Sequence, residues 1–349
     1  MRNILILGAS YGSLLATKLA MAGHSVVMTC RAPTAALINE AGTEVRIKLR
    51  DEAAHRSIRS QDLPGGVSAI TPDQADPAAF DLIALAMQEP QYAAPEVADL
   101  MARIAKSGKP CLSIMNMPPL PFLARIPGIE TEPLRAAYSC PGVWDGFAPG
   151  AMSLCSPDPQ AFRPPDEGAN VLHVGLPTNF KAAPFADPAQ NALLCELAAD
   201  IDAVRIEGTE VPVKLRVHES LFTPLAKWSM LLTGNYRCIT EDAPISIREA
   251  VHGDLDLSRD VYEWVDHLAR RLGATPADQV PFGKYATAAA SLMKPSSAAR
   301  AIDAGARNVE RVDRLVRALG AATGTWHPEV DRIVKLVDKR LGVTAFEPA

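Results

Sequence analysis

The stretch NILILGASYGSLLATKLAMAGHSVVMTCR, residues 3–31, decides the fold. Ile4 to Leu7 are a short continuous apolar run, the pattern of a strand buried on both faces. Leu14, Leu15, Leu19 and Ala22 then recur at helical spacing, and Gly23 ends that helix. The residues HSVVMTCR read as a second buried strand. Strand, turn, helix and strand in this order open a dinucleotide-binding domain. The usual Gly-x-Gly-x-x-Gly turn is altered, because Gly8-Ala9-Ser10-Tyr11-Gly12-Ser13 holds two glycines spaced Gly-x-x-x-Gly. Gly8 allows the tight turn, and Gly12 starts the helix where backbone must come close to a phosphate or to the strand. Ser10 and Ser13 bring hydroxyls that can donate to phosphate. Gly8, Ser10, Tyr11, Gly12 and Ser13 are therefore the candidate pyrophosphate contacts, at a helix N-terminus whose N–H groups and dipole favour anions.

The second strand ends in Cys30-Arg31. Folds of this kind that select NAD place an acid there for the ribose 2′-hydroxyl, whereas an arginine accommodates a 2′-phosphate. Arg31 thus points to NADP(H). A secretory signal peptide is the competing reading of the N-terminus. Lys18 interrupts the apolar stretch, Gly8, Ser10 and Gly12 sit where such a segment prefers leucine, and a second strand follows.

Working outward, the chain has 349 residues, enough for two domains, with 48% hydrophobic and 21% charged residues. Its net charge is −5, from 35 basic and 40 acidic residues, which is no footprint for nucleic acid or an anionic membrane. The six cysteines (Cys30, Cys111, Cys140, Cys155, Cys195, Cys238) include no CxxC pair, so neither a metal site nor a disulfide framework is expected, and a reducing cytoplasm fits best. No uninterrupted run of 18 apolar residues predicts a membrane span. FDLIALAMQ (80–88) and KPCLSIMN (109–116) read as further strands, the second ending at Asn116. AAYSC, AMSLCS and NVLHVGL read as later strands, with antiparallel pairing expected. Between the last two lies SPDPQAFRPPDEG (156–168), with four prolines, expected as a loop that shapes substrate choice. From about residue 215 the pattern is helical to the end. The expected architecture is α/β: a Rossmann-like NADP-binding domain over 1–210, then an all-helical substrate and dimerisation domain over 211–349.

Four islands, residues 3–31 (GSLLATKLAMAGHSV the closest part), LAMQEPQ, SIMNMPP and PLAKWSMLLTGNYRC, taken in order, resemble the ketopantoate reductases (2-dehydropantoate 2-reductases). These are NADPH-dependent enzymes that reduce a 2-keto acid to a 2-hydroxy acid. Where the family has Lys-x-x-Gln, this chain has Gln88 and Gln91; Asn116 matches an asparagine of the cofactor and substrate region, followed here by Met117-Pro118 rather than glycine. The family signature of a lysine with asparagines four and eight residues later is matched by Lys227 and Asn235, with Leu231 in the middle position. On a helix these spacings share one face. A looser match is KPSSAARAIDAGARNVERVD (294–313), where Ser296-Ser297 and Glu310 match in kind, one residue further apart than usual.

The resemblance implies roles. Hydride transfer to a ketone builds negative charge on oxygen, which a positioned acid must neutralise. Lys227 is the expected general acid. Glu310 is expected to bind a substrate hydroxyl or to pair with Lys227. Asn116, Asn235 and Ser297 are the expected substrate contacts, and Gln88, Gln91 and Asn116 the further cofactor contacts. No metal, nucleic acid or membrane is expected, and a homodimer is expected by analogy. Two alternatives stay open: a related reductase of another carbonyl or an imine, and a non-catalytic NADP(H)-binding sensor.

Overall fold

The computed structural model describes residues 1–50 and 52–343, which divide into two compact units. The first comprises Met1–Met87, Gln91–Phe122 and Val143–Glu219; the second comprises Gln88–Pro90, Leu123–Gly142 and Ser220–Ala349.

The first unit is a doubly wound α/β domain. The opening stretch forms β1 (Asn3–Leu7), α1 (Gly12–Met21) and β2 (Ser25–Thr29). Across the main sheet the strands run Leu215–Val217, Phe180–Ala182, Met152–Ser156, Cys111–Ile114, Leu82–Leu85, β1, β2, Val67–Ile70. All pair in parallel except Phe180–Ala182 with Met152–Ser156. The AMSLCS strand therefore joins Cys111–Ile114 in parallel, and is antiparallel only to its other neighbour in the sheet, Phe180–Ala182. The order reverses at β1, so the carboxyl ends of β1 and Leu82–Leu85 form the switch point where such sheets bind ligands.

Helix α1 is buried from Gly12 to Ala20, which explains its lack of a polar face. Lys18 lies inside it, donating from Nζ to Val211 O at 3.3 Å and Pro212 O at 3.1 Å. The next residue, Val213, has φ +64, a left-handed conformation strained for a β-branched side chain. Burial, with Lys214 and Arg205 nearby, pushes the Lys18 amine down to about 7. In the unfolded chain it titrates near 10.5. Between these values the unfolded state binds more protons, so this residue makes stability rise with pH. Denaturation from pH 7 to 9 should show a slope reaching about 1.4 kcal/mol per pH unit, absent in Lys18→Met. Identical slopes in the two proteins would contradict this assignment.

Three segments depart from the sequence expectation, the first being Leu215–Val217, an edge strand of the main sheet where the pattern reads as helical. AAYSC is no strand: residues Glu132–Ala137 form a 3₁₀ helix, and the N–H groups of Ser139 and Cys140 donate to the Glu89 carboxylate instead of a neighbouring strand. The proline-rich stretch contains a strand, Gln160–Phe162, at the edge of a separate four-stranded sheet ordered Arg56–Arg59, Glu44–Ile47, Val171–Leu176, Gln160–Phe162. An edge position suits it, since its flanking prolines cannot donate to a ladder.

The second unit is helical in its C-terminal part, as expected, with Leu255–Arg271, Val312–Ala322 and Pro328–Leu341 its longest helices. Arg311 is buried between Asp313 and Asp338, bonding the first in two-pronged fashion at 2.9 and 2.8 Å and reaching the second at 2.6 Å. Among the described residues no helix is long and apolar enough to cross a membrane.

Candidate active site

Each unit carries its own share of the predicted site. In the first, Gly8 has φ +102, and a Cβ there would lie 2.6 Å from Met87 Cγ and 2.8 Å from Ala86 O. A Cβ on Gly12 would meet Ile6 Cγ2 at 2.7 Å. Both glycines are thus required, and the Gly-x-x-x-Gly turn closes without the third. Ser13 N–H and Oγ both donate to Ser10 O, at 3.2 and 2.7 Å, which tightens the turn into α1. No side chain caps α1 and no acid stands in its first turn, so its amino end suits a phosphate. Gly8 N–H donates to Thr29 O at 3.0 Å, which lays the end of β2 beside the turn. Arg31 follows it, exposed, at the N-cap of the helix Ala32–Ala41. Ser10 is exposed and Ser13 buried, so only Ser10 presents its side chain to solvent; Tyr11 is half-buried and donates its hydroxyl to Pro159 O at 2.7 Å. Gln91 is exposed, and Asn116 is half-buried just after the strand Cys111–Ile114.

In the second unit the structure gathers residues that are far apart in sequence. Lys227 starts a helical turn, Lys227–Met230, that continues as a π-helix over Leu231–Asn235. Tyr236 N–H bonds Leu231 O at 2.9 Å, five residues back. Eight residues of an ordinary helix overshoot two turns by roughly 80°. The extra residue of a π turn removes much of that overshoot, so Lys227 and Asn235 align more closely than an α-helix allows. Such turns are frequent at functional sites. Both side chains are half-buried, whereas Leu231 is buried.

The end of this π turn is where the other islands meet. Ser296 Oγ donates to Asn235 O at 2.7 Å while accepting from Ala299 N–H, capping the helix Ser297–Asp303. Ser297 itself is exposed at the first position of that helix. The Tyr236 hydroxyl donates to Glu310 O and accepts from Val312 N–H at 3.0 Å, fixing the backbone on both sides of Arg311. Glu310 is buried, and its Oε1 accepts from Glu89 N–H at 3.4 Å. Glu89, also buried, lies next to exposed Gln88 and accepts from Cys140 N–H at 2.9 Å and Ser139 N–H at 3.1 Å. The Cys140 thiol donates to Glu89 Oε1 at 3.1 Å, and burial followed by that carboxylate pushes its pKa up, so it stays protonated. Glu89 and Tyr236 were not singled out by sequence reasoning, and Ser296 entered it only as the partner of Ser297. Glu89 sits inside the LAMQEPQ island, and its neighbour Pro90 leaves few conformations for a carboxylate that then turns inward. Among the described residues no group of three or more His, Cys, Asp or Glu is placed to hold a metal ion.

No protein-family profile matches the chain, and no curated protein matches it in sequence. Solved structures do match. A 2-dehydropantoate 2-reductase from Methylococcus capsulatus superposes with a TM-score of 0.67 at 14% identity, over 98% of this chain and 98% of that one. A ketopantoate reductase from Ralstonia eutropha JMP134 gives 0.62 at 18% identity, over 97% and 98%. The chain has the ketopantoate reductase fold. A dimeric ketopantoate reductase from Staphylococcus aureus gives 0.62 at 12% identity, over 97% of this chain and 99% of that one. At these identities the likeness is one of fold, and function is argued from the residues.

Proposed function

We propose that the protein is an NADPH-dependent oxidoreductase that reduces a 2-keto acid of the ketopantoate kind to a 2-hydroxy acid, with residues 1–210 as the cofactor domain and 211–349 as the substrate domain. The observation that carries this reading is the convergence of Asn235, Ser296 and Glu310 around one π turn that begins just after Lys227. The resemblance assigns Asn235 and Glu310 to the substrate, and Ser296 caps the helix that starts at Ser297, which it also assigns there.

When bound, NADPH supplies the hydride to the carbonyl carbon. The chain's own residues do the rest. The turn from Gly8 to Ser13 holds the pyrophosphate, and Arg31 pairs with the 2′-phosphate. Gln88, Gln91 and Asn116 add cofactor contacts. Lys227 delivers its ammonium proton to the carbonyl oxygen as negative charge develops there. Asn116 and Asn235 orient substrate through amide hydrogen bonds that bring no charge. Ser297 and Glu310 bind the substrate's polar groups, and Glu310 is held by Glu89 N–H. Leu231 and Gln88 stand where the resemblance expects an asparagine and a lysine. Leu231 lacks the amide and Gln88 lacks the positive charge, and both changes favour a 2-keto acid other than ketopantoate. A retained proton donor argues against a mere NADP(H) sensor. A homodimer in the cytoplasm completes the reading.

Fluorescence titration tests the cofactor assignment. NADPH should bind at least about tenfold more tightly than NADH, a difference of roughly 1.4 kcal/mol. Equal binding of the two, or binding of neither, would contradict it.

A further inference from the structure

The proline-rich stretch does not shape its surroundings as a free loop. Within the first unit it is carried by the small sheet onto the dinucleotide turn. Tyr11, inside the turn, donates its hydroxyl to Pro159 O at 2.7 Å. Arg163, one residue past the edge strand Gln160–Phe162, donates from Nη2 to Ala9 O at 3.0 Å. Two bonds, one in each direction, thus fasten the insertion to the residues that would hold a pyrophosphate.

This places a second arginine beside the end of β2. Ala9 follows Gly8, whose N–H is bonded to Thr29 O at 3.0 Å, and Arg31 stands two residues beyond Thr29. Arg163 is half-buried. Among the described residues its guanidinium makes the one bond to Ala9 and meets no carboxylate, and Arg31 likewise has no acidic partner. Burial depresses the Arg163 pKa, with nearby Cys30 opposing the shift and the like charge of Arg31 adding to it. Folding has brought two cations together and partly desolvated one of them without a counter-ion. Such an arrangement is unfavourable unless an anion completes it.

We propose that Arg163 is a second cofactor-binding residue, which together with Arg31 grips the 2′-phosphate of NADPH. The inference rests on the reading of NADPH as cofactor. A 2′-phosphate is a compact dianion with three acceptor oxygens, and the planar fork of arginine suits it better than lysine would. The bond to Ala9 O uses one N–H and leaves the other donors of Arg163 for the phosphate. NADH, which lacks this group, gains nothing from Arg163. The insertion is then a cofactor clamp, and its prolines hold the edge strand in the extended form that delivers Arg163.

The test is titration of the full-length protein and of Arg163→Gln with four ligands: NADPH, NADH, 2′,5′-ADP and 5′-AMP. Arg163→Gln is expected to weaken NADPH and 2′,5′-ADP by about tenfold or more, while NADH and 5′-AMP change by less than about threefold. Arg163→Lys, which keeps the charge and loses the fork, should fall between the two proteins. A thermal melt checks that each variant is folded. NADPH affinity within about threefold of the parent in Arg163→Gln overturns the inference, as does an equal loss for all four ligands, which would make Arg163 a brace for the turn. A parent protein that binds NADPH and NADH alike fails differently: it removes the NADPH reading itself.

Discussion

Replacing Lys227 with methionine is expected to lower kcat by roughly 10²- to 10⁴-fold, the share of rate that a positioned proton donor supplies. Methionine keeps much of the apolar stem and removes the transferable proton. NADPH affinity should change little, because the Gly8–Ser13 turn, Arg31, Gln91 and Asn116 lie in the other unit and Lys227 is assigned to the substrate carbonyl. The pH profile separates this from a packing effect. A donor lysine gives a rate that falls as pH rises through its pKa in the ternary complex, and that limb should vanish in Lys227→Met. A kcat within about threefold of the parent would remove Lys227 from the mechanism. Normal specific activity in a less stable protein would assign it to packing.

The second large effect is on stability. Arg311→Met should destabilise the protein by about 3–5 kcal/mol, because it strips the shared cation from two buried carboxylates. Asp313 is fully buried and Asp338 nearly so, and Arg311 reaches both. Arg314 bonds Asp338 at 3.0 Å and softens the loss at that end only. Arg311→Lys should recover little of it, since one ammonium cannot span both acids in the same geometry. Glu310 is the preceding residue, and Tyr236 ties the backbone on either side of Arg311. The folded fraction of Arg311→Met should therefore show a raised KM as well. A denaturation midpoint unchanged from the parent would contradict the account of this network.

The opening stretch was legible because its chemistry is local. β1 and β2 are short apolar runs, Gly8 needs a positive φ, and Gly12 needs the absence of a Cβ, all within about thirty residues. The helical second part was legible for the same reason. What the sequence hid depends on distant partners. AAYSC has strand-like composition, but the N–H groups of Ser139 and Cys140 go to Glu89, some fifty residues earlier. The strand Gln160–Phe162 is only three residues long between prolines, and its existence depends on Val171–Leu176 beside it. The π turn alters a spacing that reads as plain helix, and no single residue announces it. At the serine pair, side-chain chemistry is the same at both positions, and only the helix start separates them: Ser296 is the buried cap and Ser297 the exposed first residue. Arg163 carries no local signal at all, since an arginine in a proline-rich segment reads as solvated until the small sheet brings it to Ala9.

The measurement that bears most directly on the central claim is turnover of the full-length protein with NADPH and a panel of 2-keto acids, following loss of nicotinamide absorbance and identifying the product. The account predicts that at least one 2-keto acid is reduced to its 2-hydroxy acid, one equivalent for each NADPH consumed, and that Lys227→Met forms it at least about a hundredfold more slowly. NADPH that binds tightly but is never consumed, with every 2-keto acid recovered unchanged, would contradict it.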